Sequence, residues 1–190
     1  MNLPNKITFL RILLIPLFLI FALPAPDWLP SGLGSFMDTA GPYIAIFLFI
    51  AAGITDIIDG NLARKRNEVT NLGKFLDPIA DKLLVLAALL VLVVKFNLSV
   101  WIVIIVIARE LMVMGIRTIA AGEGKIVAAS IWGKVKTVMQ IIASVAWMLN
   151  DIIDMWYLDD ALMVVAVVLT IYSGIDYLMK NIEFIKGSHN

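Results

Sequence analysis

Six apolar runs set the terms on which this chain can fold. They lie near Thr8–Leu23, Pro42–Ile58, Pro78–Val94, Val100–Ala121, Trp132–Leu149 and Ala161–Met179, with short polar segments between them. Runs of roughly 17–25 apolar residues match the thickness of a bilayer's hydrocarbon core when helical. Apolar residues make up 61% of the 190 residues and charged ones 16%, more apolar surface than a soluble domain of this size can hide. In lipid, every backbone polar group must be satisfied within its own segment, which selects helices. The pattern predicts an all-α polytopic membrane protein, a six-transmembrane-helix bundle, as one integral-membrane domain over residues 1–190. The first run is short and contains Pro16, which predicts a tilt or kink. Lys6 and Arg11 before it and Ala22-Leu23-Pro24-Ala25 after it also resemble a signal peptide, but it is read as an uncleaved first helix.

Formal net charge is zero, so only the distribution of charge is informative. With a cytoplasmic amino terminus, inner segments hold Lys6, Arg11, Arg64, Lys65, Arg66, Lys74, Lys125, Lys134, Lys136, Lys180 and Lys186. Outer loops hold Lys95 with Asp27, Asp38, Asp151, Asp154, Asp159 and Asp160. This positive-inside asymmetry places both termini in the cytoplasm of a multi-pass cell-membrane protein. No nucleic-acid partner is expected. The absence of cysteine excludes disulfides, thiolate metal sites and cysteine nucleophiles. The single histidine, His189, sits in a polar tail and is read as no ligand.

Against this apolar background stand Asp56, Asp59, Asp77 and Asp81. A charge at the centre of a membrane helix costs roughly 2.5–3.5 kcal/mol even on lenient scales, so four acids around one short segment call for a compensating partner. Asp56, Asp59, Gly60 and Ala63 occupy i, i+3, i+4 and i+7, an arc of roughly 100° on one helix face. Asp77 and Asp81 are spaced i, i+4, and Asp77-Pro78 reads as an N-cap followed by proline at the first helical position. A loop carrying Asn67, Thr70, Asn71 and Gly73 is expected between the two helices. Four oxygen donors with no cysteine and no nearby histidine suit a hard cation such as Mg²⁺, Mn²⁺ or Ca²⁺ rather than zinc. Four carboxylates can hold two cations about 3.5–4 Å apart. Gly60, Ala63 and Gly73 leave room for a bulky ligand, and Arg64 supplies charge beside it. Arg64–Arg66 also read as ordinary positive-inside anchors.

The spacing Asp56-x2-Asp59-Gly60-x2-Ala63-Arg64-x8-Gly73-x3-Asp77-x3-Asp81 resembles the CDP-alcohol phosphotransferase signature at every defined position. That resemblance implies six transmembrane helices, a homodimer, and transfer of a phosphatidyl group from a CDP-linked lipid to an alcohol with loss of CMP. It implies that Asp56, Asp59 and Asp77 bind Mg²⁺ or Mn²⁺, as two ions, and that Asp81 both helps bind metal and serves as general base. It further associates Asn5, Thr8, Gly60, Ala63, Arg64 and Gly73 with the CDP-lipid. Asn5, Thr8 and Arg11 are spaced to share a helical face.

Three further features bear on the acceptor. Arg109-Glu110 interrupts the fourth run, and Arg117 follows eight residues later on nearly the same face. Buried arginines need partners, and Glu110 can satisfy one of them. Lys134 and Lys136 open the fifth run. Arg109, Arg117, Lys134 and Lys136 are candidates to bind an acceptor phosphate, because arginine matches phosphate bidentately. Snorkelling anchorage accounts equally for Lys136. The A-R-E, G-x-R and G-K-x-K-T elements within 108–137 look like the phosphatidylglycerophosphate synthase branch of the family. The resemblance implies CDP-diacylglycerol and sn-glycerol 3-phosphate as substrates. Inositol phosphate, serine or phosphatidylglycerol are alternative acceptors. A cation transporter is a different-class alternative, but ion paths place acids near the bilayer midplane, whereas these acids bracket a basic segment.

Overall fold

In a computed structural model, residues 3–66, 71–122, 124, 125, 127, 130–150 and 152–183 are described, with side chains except at 3–6, 56–66, 71–75, 77 and 78. These residues form six α-helices and no strand: α1 Leu3–Ala22, α2 Ser31–Arg66, α3 Asn71–Phe96, α4 Val100–Gly122, α5 Ile131–Leu149 and α6 Leu158–Lys180. The all-α expectation and the number of helices hold. Two stretches among the described residues, Ser31–Thr55 and Leu158–Lys180, are long and apolar enough to cross a membrane, and Ile7–Ala22 is a shorter apolar helix.

Two helices differ from their expected limits. The second begins at Ser31 and carries Pro42 inside it. The third begins at Asn71, so Asp77 does not cap it and Pro78 does not open it. Asn71 and Gly73 likewise belong to α3 rather than to a loop. The reading of Asp77-Pro78 rested on local preference alone. Apolar helices accommodate an internal proline when neighbouring groups satisfy the backbone carbonyl it leaves. Pro16 is also carried within continuous helix in α1.

The helices fall into two compact units, residues 1–98 with 147–154, and residues 99–146 with 155–190. In the first, α1 packs on both α2 and α3. Its buried stripe is Thr8, Arg11, Ile15, Phe18 and Ala22, a 3–4 spacing that keeps one helix face inward. Phe18 meets Phe49 of α2 with ring centroids 5.5 Å apart. Alanines 45, 52, 80, 87 and 88 are buried, and their small side chains let helices approach closely. A close approach occurs at Gly41, where a Cβ would lie 2.7 Å from the Phe21 carbonyl oxygen.

In the second unit α4 packs on α6. The inward face of α4 is Val103, Val106, Arg109, Val113, Ile116 and Ala120. That of α6 is Asp159, Met163, Ala166, Thr170, Ser173, Gly174 and Tyr177. Both stripes repeat every three or four residues, and both carry polar groups. The opposite face of α6 exposes Val164, Val168, Ile171 and Ile175. The polar groups of this unit thus lie on its inward faces while an apolar face of α6 is exposed. Helix α4 ends in a Schellman reversal: the Lys125 N–H donates to the Ala120 carbonyl and the Gly124 N–H to that of Ala121, with Gly124 at φ +72°.

Candidate active site

The first candidate region lies in the unit built by α1, α2 and α3. Asp56, Asp59, Gly60, Ala63 and Arg64 are positions of α2, and Gly73, Asp77 and Asp81 are positions of α3. The side chains of all but Asp81 lie outside the described residues, as does that of Asn5. Asp81 is described. Its Oδ1 accepts a hydrogen bond from Arg11 Nη1 at 2.7 Å, and its side chain keeps 42% of its surface exposed while that of Arg11 is fully buried. Thr8, one turn earlier on α1, is 1% exposed. The expected shared face of Thr8 and Arg11 is therefore the inward one. It brings a guanidinium onto an acid of the signature, a pairing that spacing alone did not specify.

The second region lies in the unit of α4, α5 and α6, and centres on Glu110. Arg109, 9% exposed, donates from Nη1 to Glu110 Oε1 at 3.1 Å and from Nε to Ser173 Oγ at 3.2 Å. Lys136, 4% exposed, donates from Nζ to the same Glu110 Oε1. Lys136 Nζ also lies 3.5 Å from Gln140 Oε1. Gln140 Nε2 donates to Thr170 Oγ1 at 2.9 Å, and Thr170 Oγ1 donates to the Ala166 carbonyl at 2.7 Å. A chain of polar groups from α4 through α5 to α6 thus runs inside an apolar unit. Such groups are stable there only when partnered, since removing one side of a buried charge pair costs about 3–5 kcal/mol.

Two glycines make the seat for Arg109. A Cβ on Gly133 of α5 would come within 3.2 Å of Arg109 Nη2, and one on Gly174 of α6 within 3.1 Å of Arg109 Cγ. The guanidinium fills the space beside Gly133, and the stem of the same side chain fills that beside Gly174. Gly133 belongs to the G-K-x-K element, but its reason was not legible there. Gly174, Ser173, Gln140 and Thr170 carried no sequence signal beyond small or polar residues in apolar runs.

The four cations expected to act together divide two and two. Arg109 and Lys136 are buried and share Glu110. Arg117 and Lys134 are exposed. Lys136 is therefore no snorkelling anchor. Arg117 is not on the inward face with Arg109: its Nε donates to Tyr177 Oη at 3.1 Å, and its guanidinium lies 5.7 Å from the centre of that ring. An eight-residue offset turns a side chain through about 80°, enough to move it from the inward face to the boundary. Nearby on α6, Asp176 accepts from Ser130 Oγ at 3.3 Å and pairs with Lys180 at 2.7 Å.

Comparison with known proteins bears on both regions. The family model for CDP-alcohol phosphatidyltransferase matches residues 1–172. A Bacillus subtilis protein named CDP-diacylglycerol–glycerol-3-phosphate 3-phosphatidyltransferase is 48% identical over 99% of both chains. Proteins of the same name from Haemophilus influenzae and Escherichia coli are 39% and 41% identical. They cover 98% and 93% of this chain, and 95% and 93% of their own length. A match of this extent takes in α1 to α5 and most of α6, with the aspartate signature and the buried cation pair inside it. The chain belongs to the CDP-alcohol phosphatidyltransferase family.

Proposed function

We propose that this chain transfers the phosphatidyl group of CDP-diacylglycerol to sn-glycerol 3-phosphate, forming phosphatidylglycerol phosphate and releasing CMP. The observation that carries this reading is near full-length identity with three relatives bearing that activity in their names. The buried Arg109–Glu110–Lys136 cluster supports an anionic acceptor over serine or free inositol, because two cations held on one carboxylate leave net positive charge for a phosphate.

The donor set of the signature is carboxylate oxygen throughout, and Asp81 keeps two-fifths of its side-chain surface open, which fits a hard divalent cation. Asp56, Asp59, Asp77 and Asp81 would hold Mg²⁺ or Mn²⁺, which when bound neutralises the diphosphate and stabilises charge on the phosphorus under attack. The remaining work falls to the chain itself. Asn5, Thr8, Gly60, Ala63, Arg64 and Gly73 would receive the CDP-lipid. Arg109 and Lys136, with Arg117 and Lys134 at the exposed boundary, would bind the acceptor phosphate and orient its free primary hydroxyl. Asp81 would take the hydroxyl proton as the new oxygen–phosphorus bond forms and the bond to CMP breaks. Direct displacement needs no covalent intermediate and agrees with the absence of cysteine.

The same reading makes all six helices membrane-spanning, with both termini and the aspartates on the cytoplasmic side, in a homodimer. Its support is the lysine and arginine distribution together with exposed Trp28, Trp101, Trp156 and Tyr157 in or beside the three segments expected outside. Exposed tryptophan and tyrosine favour the membrane–water interface.

Purified protein in CDP-diacylglycerol-containing mixed micelles tests the activity. Radiolabel from glycerol 3-phosphate should enter lipid only with CDP-diacylglycerol and a divalent cation present. Transfer to serine or inositol with none to glycerol 3-phosphate would overturn the acceptor. Cation flux through proteoliposomes without transfer would overturn the enzyme.

A further inference from the structure

Glu110 is a carboxylate in the midst of the proposed acceptor-phosphate site, where an anion opposes the ligand. An anionic side chain there weakens long-range attraction of phosphate, so its presence needs a reason. The geometry gives one. A single oxygen, Oε1, accepts from both Arg109 Nη1 and Lys136 Nζ. Without it, two buried cations on neighbouring helices would face one another in an apolar unit, and their repulsion would be little screened. The structure relieves that repulsion at one point and fixes both heads on one side of it. Each cation is also tethered from α6, Arg109 directly through Ser173 and Lys136 through Gln140 and Thr170. Gly133 leaves the guanidinium its space, and Gly174 leaves space for the aliphatic stem of the same side chain.

We infer that Glu110 is a positioning residue for the acceptor phosphate: its Oε1 holds Arg109 and Lys136 close enough together for one phosphate group to engage both. The trio keeps one net positive charge for the incoming anion. Glu110 does not touch the reacting atoms. It acts through the two cations, and it governs acceptor binding rather than the displacement at phosphorus. This inference rests on the proposed reading of Arg109 and Lys136 as phosphate ligands.

The test uses full-length protein in mixed micelles with Mg²⁺, comparing wild type, Glu110→Gln and Glu110→Asp. Glu110→Gln keeps the shape and an acceptor oxygen but removes the charge that gathers the cations. The KM for glycerol 3-phosphate should rise about tenfold, with the KM for CDP-diacylglycerol and kcat within about twofold of wild type. Competitive inhibition by inorganic phosphate should weaken in parallel. Glu110→Asp restores the charge at shorter reach and should recover most of the loss. If Glu110→Gln does not purify as a folded species, Glu110→Asp alone is decisive, with a KM for glycerol 3-phosphate raised about threefold and an unchanged KM for CDP-diacylglycerol. An unchanged KM for glycerol 3-phosphate in Glu110→Gln overturns the inference, as does one in Glu110→Asp where that variant is measured alone. So does a lowered KM, which would make Glu110 a competitor of the phosphate, and so does an equal rise for both substrates, which would make its role structural. Wild-type protein that transfers nothing to glycerol 3-phosphate removes the proposed function itself, whereas normal wild-type transfer with unaltered variants removes only the role of Glu110.

Discussion

Arg11 and Asp81, seventy residues apart in sequence, are joined by a 2.7 Å hydrogen bond from Nη1 to Oδ1. The arginine is fully buried and the aspartate is not. The bond therefore fixes one end of a carboxylate whose side chain keeps 42% of its surface exposed. A charge-assisted bond of this kind orients as well as stabilises. It ties α1 to the aspartate signature and gives the amino-terminal helix a part in the candidate site.

Arg11→Ala should destabilise the protein by about 1–3 kcal/mol, less than the roughly 3–5 kcal/mol of a fully buried pair, because Asp81 can be rehydrated. Arg11→Lys retains the charge but not the planar fork, and should recover stability better than activity. Thermal unfolding in detergent measures the first effect and steady-state transfer the second. If Arg11→Ala turns over at the wild-type rate, the orientation of Asp81 by Arg11 is refuted.

Asp81→Asn preserves shape and an oxygen acceptor for Arg11 while abolishing proton acceptance. Loss of a positioned general base lowers rates by roughly 10²–10⁴-fold, so turnover should fall below detection in a routine transfer assay. Binding of CDP-diacylglycerol, followed by equilibrium retention of labelled lipid on immobilised protein, should survive in part. Full activity in this variant would remove Asp81 from the chemistry.

The two units differ in how much of them the sequence discloses. Helical periodicity exposed the inward face of α1, because Thr8 and Arg11 lie three apart, and the aspartate signature, because its spacing is fixed. Local preference misplaced the start of α3, because Asp77-Pro78 carries every local mark of a helix opening whereas the helix already runs from Asn71. In the second unit, Arg109 and Glu110 announced a buried charge, but the partner choice was hidden. Lys134 and Lys136 look alike in sequence, and a two-residue offset of about 200° sends one outward and the other inward. Gly133 and Gly174 were silent because a glycine that makes room for a side chain on another helix looks like any other glycine in an apolar run.

Arg117→Ala separates the exposed cation from the buried ones. Its loss removes a bond to Tyr177 and a cation–ring contact worth about 0.5–1 kcal/mol at an exposed position, so unfolding should shift little. The KM for glycerol 3-phosphate should rise several-fold with kcat almost unchanged, the pattern of a group that binds ground state and transition state alike. A fall in kcat at constant KM would place Arg117 in the chemical step instead.

The glycine seat of Arg109 predicts three different outcomes for one kind of substitution. Alanine favours helix over glycine by about 1 kcal/mol where nothing obstructs its methyl group. Gly115, on the same helix as Arg109, has no atom within 4 Å of a Cβ position, so Gly115→Ala should leave transfer kinetics untouched and stability unchanged or slightly raised. Gly133→Ala would bring a methyl to 3.2 Å from Nη2, the far end of a long side chain that can yield by a few tenths of an ångström. Its stability should stay within about 1 kcal/mol of wild type, the helix gain offsetting the displacement, while the KM for glycerol 3-phosphate rises because the guanidinium is what moves. At Gly174 the obstacle is Cγ, near the root of the same side chain, with Met112 Cε at 3.4 Å behind it. Gly174→Ala should therefore lose about 1–3 kcal/mol of stability as well as acceptor affinity. Thermal unfolding and acceptor kinetics on the three variants give the ordering, and a Gly174→Ala protein as stable as Gly115→Ala would contradict the seat.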